Sequence, residues 1–211
     1  MTPREAFNNI LGGEVINNLE KRGFDARYVS TSAEALEQVK KMVPDGSLVS
    51  WGGTMTLEET GIKEYLKSGK YDVIDRAAAN GPDEIREAYH KALNTDYYFM
   101  STNAITRDGI LVNIDGNGNR LAALIYGPEN IIIVAGMNKI VNTEEEAVPR
   151  IQNTASPLNA HRLGRQTPCL LTGSCGDCLS PDSMCSHTVA TRRSHPKGRI
   201  KVILVGESLG Y

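Results

Sequence analysis

SLVSWGGTMTLEET, residues 47–60, contains the local pattern that decides the fold class. Residues 47–51 predict a short strand, and the glycine pair Gly52–Gly53 ends it. Thr56 and Glu59 have the spacing of a capping box, which predicts that a helix begins at Thr56. A strand that leads through a glycine turn into a helix is the repeating unit of parallel α/β sheets.

The rest of the chain repeats this alternation. The join Gly116–Asn119 lies between two apolar runs and is typical of a β-hairpin turn. We therefore expect one α/β domain over residues 1–211: a mostly parallel sheet flanked by helices, with an inserted antiparallel hairpin. The domain includes a helical N-terminal segment, 1–43, and a cysteine-rich segment, 167–187, which we expect to form a metal-binding loop. Strands are predicted at 71–75, 96–101, 109–115, 120–126, 130–135 and 200–205, and helices at 3–22, 32–42, 82–93 and 143–153.

Charge and hydropathy restrict the classes of partner. The 211 residues carry a formal net charge of −2, with lysine and arginine dispersed along the chain. This argues against nucleic acid and anionic membranes as partners, because both require a concentrated basic face. The apolar runs are too short for membrane insertion. The first residues, MTPREAFNNI, lack the apolar core of a secretory signal, so we expect a cytoplasmic protein with reduced thiols.

Gly52, Gly53 and Thr54 lie between the predicted strand and helix, where an anion can bind. Glycine lets backbone N–H groups face a ligand, and a helix N-terminus adds partial positive charge. Ligands of parallel α/β sheets bind at the carboxyl ends of the strands. The segment is therefore a candidate phosphate or carboxylate site, with a plain tight turn as the alternative. It matches neither a Walker loop nor the dinucleotide fingerprint.

Three further polar segments that contain glycine follow predicted strands, at 103–109, 115–120 and 136–139. If the strand order brings these ends together, they converge on one cleft. Turn chemistry, or simple solvation of Lys139, is the alternative. The candidate ligand-binding residues in these segments are Asn103, Asp108, Gly116, Asn119, Arg120 and Asn138. His161 and Arg162 precede the cysteines and are expected beside the same cleft.

Four stretches resemble the lactate-utilisation (LUD) domain family: SWGGTMTLEETGI, STNAITRDGILVNIDGNGNR, YGPENIIIVAGMNKIV and RIKVILVGESLGY. The resemblance covers nearly the whole chain and implies a fold like that of phosphosugar isomerases and CoA transferases. It implies that Gly52–Thr54 binds phosphate or carboxylate, that Asp115 and Gly116 help to form the active cleft, and that Lys139 contacts an anion. Asp115 and Lys139 are therefore the catalytic candidates. The family name implies lactate oxidation with iron–sulfur and flavin-type partner proteins.

All four cysteines lie in TPCLLTGSCGDCLSPDSMC, residues 167–185. Thiolates are soft ligands that suit iron–sulfur clusters and zinc. A single CxxC pair flanked by lone cysteines is nearer to ferredoxin-like ligation than to the paired CxxC motifs of zinc sites. We expect a 4Fe–4S cluster, with zinc, a metal-free redox CxxC and inert cysteines as the alternatives; His187 could replace one ligand. The candidate metal ligands are Cys169, Cys175, Cys178 and Cys185.

Three functions remain open at this point. The first is a redox protein of small organic acid metabolism that carries a cluster, acts as an oxidoreductase component and works with redox partner proteins. The second is an isomerase- or transferase-like enzyme that acts on a phosphorylated or carboxylated small molecule. The third is a non-catalytic accessory or sensor protein with structural zinc. The first two require a small anionic ligand, and a homo-oligomer is compatible with all three.

Overall fold

The computed structural model describes residues 1–211 and contains ten strands in two sheets. The strands are β1 (Asp25–Val29), β2 (Leu48–Trp51), β3 (Asp72–Ile74), β4 (Tyr97–Met100), β5 (Ala104–Thr106), β6 (Leu111–Asp115), β7 (Asn130–Gly136), β8 (Ile140–Val141), β9 (His187–Thr191) and β10 (Ile200–Val205). The helices are α1 (Pro3–Lys21), α2 (Ser32–Met42), α3 (Met55–Glu59), α4 (Ile62–Leu66), α5 (Pro82–Ala92), α6 (Asn119–Tyr126), α7 (Glu144–Arg150), α8 (Ser156–Arg162) and α9 (Pro168–Thr172).

The main sheet has six strands in the order β1-β10-β7-β4-β2-β3, and every pair in it is parallel. Its central strand β7 is apolar on both faces because helices cover both sides. Ile131 and Ile133 pack into one core with α1 and α6, whereas Ile132 and Val134 pack into the opposite core with α2, α3 and α4. The mostly parallel α/β fold expected from the sequence is confirmed.

The second sheet is smaller and mixed, in the order β8-β5-β6-β9. Strands β5 and β6 form an antiparallel hairpin, and β9 pairs with β6 from the other side. Ala104 and Val112 from this sheet pack with Ala147 and Ile151 into a third core. Since β5 follows β4 after only a few residues, the second sheet lies at the carboxyl end of the main sheet.

The hairpin predicted at Gly116–Asn119 is wrong, because residues 119–126 form α6 and not a strand. Leu121 and Leu124 are both buried, and their spacing of three residues places them on one face of a helix. The guanidinium group of Arg199 donates to the carbonyl groups of Ala123 and Leu124 near the helix end. The inserted hairpin is instead formed by β5 and β6.

The helix expected at Thr56 begins one residue earlier, at Met55, and Thr56 does not cap it. Thr56 is buried within the first turn, and Glu59 accepts the backbone N–H of Gly210 instead of closing a capping box. The helix predicted at 143–153 continues through a π-helical turn, Ile151–Ala155, into α8. None of the helices combines the length and the apolarity that crossing a bilayer requires.

Two adjacent glycines in α1 provide a matched test of this packing. A Cβ atom at Gly12 would overlap the ring of Tyr28, whereas one at Gly13 would meet nothing within 4 Å. We expect Gly12→Ala to lower the free energy of unfolding by about 1–3 kcal/mol, because the helix must move away from β1. We expect Gly13→Ala to raise it by up to about 1 kcal/mol through helix propensity. Urea denaturation measures both, and equal effects would contradict the α1–β1 contact.

Candidate functional site

A cavity of ≈ 280 Å³ opens at the carboxyl ends of the main-sheet strands. Its wall includes Thr56 after β2, Arg76 after β3, Ser101 after β4, Lys139 after β7 and Tyr211 after β10. The other wall comes from the turn after β6, from α8 and from part of the cysteine-rich segment. Parallel pairing places these strand ends at one edge of the sheet, which is where ligands of such folds bind. We call this cavity the cleft.

The wall of the cleft is rich in cations. Arg120 forms an ion pair with Asp115 at 3.4 Å, and Arg165 with Asp182 at 2.7 Å. The remaining cations of the wall have no carboxylate within ion-pair distance, which leaves an excess of positive charge. The five cationic residues of the wall are Arg76, Arg120, Lys139, Arg162 and Arg165, and its single carboxylate is Asp115.

Lys139 is buried, and its ammonium group has no charged partner. Its Nζ donates to Ser101 Oγ at 2.8 Å and to Thr56 Oγ1 at 3.1 Å. Burial, followed by the positive charges of Arg150 and Arg120, lowers the pKa of Lys139 to about 7. The amine is therefore present in both protonation states near neutral pH.

Arg120 holds the two sheets together at the cleft. Its guanidinium group donates to the carbonyl groups of Ser101 at 3.2 Å and Ile114 at 2.9 Å, and to the side-chain oxygens of Asn113 at 2.8 Å and Asn103 at 3.0 Å. These four contacts tie the end of β4 to the end of β6. A planar donor group satisfied in this way has a fixed orientation. Arg120 therefore serves mainly as a framework for the cleft wall.

Asp115 contributes a carboxylate with one oxygen free. Its Oδ1 accepts the backbone N–H of Gly118 at 3.3 Å, whereas its buried Oδ2 has no hydrogen-bond donor. Oδ2 lies 3.4 Å from Arg120 Nε, which makes an ion pair without hydrogen-bond geometry. A buried acceptor without a donor is costly. Asp115 is the only acidic side chain in the wall of the cleft.

The structure brings most of the predicted site residues into the cleft wall. Gly52 lies just behind it, where a Cβ atom would be 3.1 Å from Arg120 Cδ and 3.1 Å from the Tyr98 hydroxyl. Glycine at this position thus lets Arg120 pack against the main sheet. The predicted residues in the wall are Gly53, Thr54, Asn103, Asp115, Gly116, Asn119, Arg120, Lys139 and Arg162.

Three predicted residues lie elsewhere, and none of them belongs to the cleft wall. Asp108 occupies the turn of the β5–β6 hairpin, where its carboxylate forms an ion pair with Arg22. Asn138 holds the C-terminal tail: its Oδ1 accepts from the backbone N–H of Leu209 at 3.0 Å, and its Nδ2 donates to the carbonyl of Gly210 at 3.2 Å. Each of these two residues follows a strand, as predicted, but a short turn directs it away from the cleft. His161 is likewise outside the wall.

Arg76 is the main cleft residue that the sequence argument missed. It begins a 3-10 turn directly after β3, so the rule of strand ends could have found it. Its Nη1 donates to the Tyr89 hydroxyl at 2.8 Å, and the guanidinium carbon lies 5.4 Å from the centre of the Tyr89 ring. Its Nη2 lies so close to Gly53 that a Cβ atom there would be 2.7 Å away. Glycine at 53 therefore leaves room for this cation.

All four cysteines line a second cavity of ≈ 80 Å³. None forms a disulfide. Burial, together with the other three thiols, raises the pKa of Cys185, while a contact with Ser156 Oγ at 3.5 Å opposes the shift. The four thiols share one cavity, but they are not gathered around one point as a formed metal-ligand group. We call this the cysteine cavity.

The cysteine cavity and the cleft have a common wall. Pairing of β9 with β6 places His187 opposite Asp115, and this register sets the end of the cysteine-rich segment beside the turn after β6. A Cβ atom at Gly116 would lie 3.1 Å from the Cα of Met184, so these two segments of the chain are in close contact. The residues that line both cavities are Ile114, Ser156, Ser183 and Met184.

The sequence pattern of the LUD domain matches residues 13–205. The chain belongs to the LUD domain family. A protein of the DUF162 family from Deinococcus radiodurans has a similar structure, with a TM-score of 0.55. The two sequences are 16% identical, and the match covers 94% of this chain and 98% of that one. At this identity the likeness shows the fold alone.

Ribose 5-phosphate isomerase A from Methanocaldococcus jannaschii is a more distant match to this LUD domain. It has a TM-score of 0.35 and 13% identity over 63% of this chain and 66% of the isomerase. No curated protein matches the sequence. Membership of the LUD domain family supports a lactate-utilisation-type protein.

The buried amine of this LUD domain predicts a pH dependence of stability. Below about pH 7, Lys139 is charged in the folded and the unfolded state, and the folded state bears the cost of burial. Above that pH the folded state loses the proton, while the unfolded lysine keeps it until about pH 10.4. From about pH 7 to about pH 9 we expect wild type to gain about 2 kcal/mol of unfolding free energy relative to Lys139→Met.

Urea denaturation of both proteins at each pH measures this difference. Other groups that titrate in the same window contribute equally to wild type and variant, so their effects cancel. Parallel pH profiles would show that Lys139 has an ordinary pKa in the folded protein.

Proposed function

We propose that this LUD-domain protein binds a small organic acid in the cleft and a 4Fe–4S cluster in the cysteine cavity, and acts as a redox-linked component of organic acid metabolism. The observation that carries the proposal is the position of a strongly cationic cleft next to a cavity lined by every thiol of the chain. The two halves of the proposal rest on different residues and can fail separately.

The charge of the cleft favours a carboxylate as ligand. Arg76 and Arg162 have no ion-pair partner, and a guanidinium group binds a carboxylate through two parallel hydrogen bonds. The Asp115 carboxylate is the acceptor that the wall offers to a hydroxyl group, and it would repel a second negative charge. This combination suits a singly charged acid that carries a second polar group.

The donor chemistry of the cysteine cavity suits an iron–sulfur cluster. The thiols of Cys169, Cys175, Cys178 and Cys185 are soft ligands, and all four line the same cavity. The backbone N–H of Asp177 donates to Cys175 Sγ at 3.4 Å, a contact of the kind that tunes clusters. When bound, a cluster would supply one-electron transfer, and its ligands would have to close around it by a local rearrangement of the loop between α9 and β9.

Zinc remains the second candidate for the cysteine cavity. The thiols are half-buried or exposed, so a metal there could simply hold the segment in place. Metal analysis separates the two candidates.

We expect anaerobically purified protein to be brown and to contain iron and acid-labile sulfide. Cys175→Ser removes a ligand of the CxxC pair and should abolish the colour and most of the iron. Ser174→Ala is the control, because Ser174 is exposed beside Cys175 but offers no thiol. Colourless protein with bound zinc would favour a structural metal, and metal-free protein would refute the cluster.

Removal of an unpaired cleft arginine should weaken anion binding. We expect Arg162→Gln and Arg76→Gln each to raise the Kd of lactate or pyruvate about tenfold, as loss of a charged hydrogen bond does. Isothermal titration calorimetry measures this, with phosphate as a comparison anion and added salt as a screen. Arg4→Gln is the control, since Arg4 is exposed on α1. Equal affinities in all four proteins would refute the cleft as the anion site.

A further inference from the structure

Lys139 differs from the lysines that form ion pairs. Those lysines are partly exposed and lie beside a carboxylate: the pairs are Lys40–Glu37, Lys63–Glu58, Lys67–Asp75, Lys70–Asp45 and Lys91–Glu87. Lys139 is only 3% exposed, and the partners of its Nζ are two uncharged hydroxyl groups. The amine is therefore placed in the cleft wall without an anion to hold its charge.

The surroundings of this amine favour its neutral form. Arg150 and Arg120 are the nearby cations, and Glu59 is the nearby acid, but the Glu59 carboxylate accepts the backbone N–H of Gly210 at 2.7 Å. A neutral lysine amine in a desolvated pocket is a nucleophile towards carbonyl carbon. A lysine that served only as an anion contact would do better with a lasting positive charge.

We propose that Lys139 is a catalytic nucleophile that condenses with the carbonyl carbon of a 2-oxo acid bound in the cleft to form an imine. This inference rests on the proposed anion cleft and names the class of its ligand. The carboxylate of the acid binds the unpaired guanidinium groups of the wall, and its neighbouring carbonyl group meets Nζ.

The condensation needs no redox partner. The lone pair of Nζ forms the C–N bond while the carbonyl electron pair moves to oxygen, and one amine proton is transferred to that oxygen. The resulting carbinolamine loses its oxygen as water together with the second amine proton, which leaves a C=N bond. Ser101 Oγ lies 2.8 Å from Nζ and can carry these protons between nitrogen and oxygen. Ser101 is thus the proton-transfer partner of the nucleophile.

Reductive trapping tests this step with the whole 211-residue chain. Wild type is incubated with glyoxylate or pyruvate and then with sodium borohydride, which converts an imine to a stable secondary amine. We expect one adduct, heavier than the protein by the mass of the probe less one oxygen, and peptide mapping should place it on Lys139. Lactate has a carboxylate but no aldehyde or ketone group, so it should not be trapped. It should compete with the probes for the cleft.

Two variants and one control complete the experiment. Lys139→Arg keeps a cation but removes the nucleophile and should abolish the adduct. Ser101→Ala keeps the lysine and should slow trapping at least about tenfold, which tests the proposal even if Lys139→Arg folds poorly. Lys201→Arg is the control: Lys201 is also partly buried but hydrogen-bonds to Asn130 and Gly198 outside the cleft, and its replacement should change nothing.

The outcomes distinguish this proposal from the anion cleft itself. If calorimetry detects pyruvate binding but borohydride traps no adduct, the nucleophile is refuted and the cleft stands. If neither binding nor trapping occurs, both proposals fail. Adducts spread over several lysines, or unchanged trapping in Lys139→Arg, would also overturn the assignment.

Discussion

The parallel pairing of the main sheet is the constraint on which the rest of the structure depends. Because all six strands run in one direction, each one ends at the same edge, and the turns that follow are forced to meet there. Helices on both faces bury β7 from residue 131 to residue 136, so the turn that carries Lys139 starts from the core of the domain.

The second sheet converts this edge into a closed site. Arg120 bonds to the end of β4 and to the end of β6, and so fixes the distance between the sheets. Its guanidinium group is engaged by these contacts and by the ion pair with Asp115, whereas Arg76 and Arg162 form no ion pair. Arg120 thus has a structural role in the cleft wall, whereas Arg76 and Arg162 have no carboxylate partner within the protein.

The cysteine-rich segment is coupled to the cleft through backbone pairing. The register between β9 and β6 leaves Cys185 two residues before the pair that contains Asp115, and Met184 packs on Gly116. The two cavities therefore share part of one wall.

The sequence by itself determined the fold class, the central strand β7, the strand-end segments and the grouping of the thiols, because these depend on local hydrophobic periodicity and turn residues. It could not determine that residues 119–126 are helical, since the short apolar run 121–126 suits either structure and packing against the first core decided it. It also could not separate Asp108 and Asn138 from the cleft, because the direction of a turn depends on what it packs against. Only the tertiary structure decided that Lys139 is buried without a counter-ion, since burial and the loss of water come from residues distant in the chain.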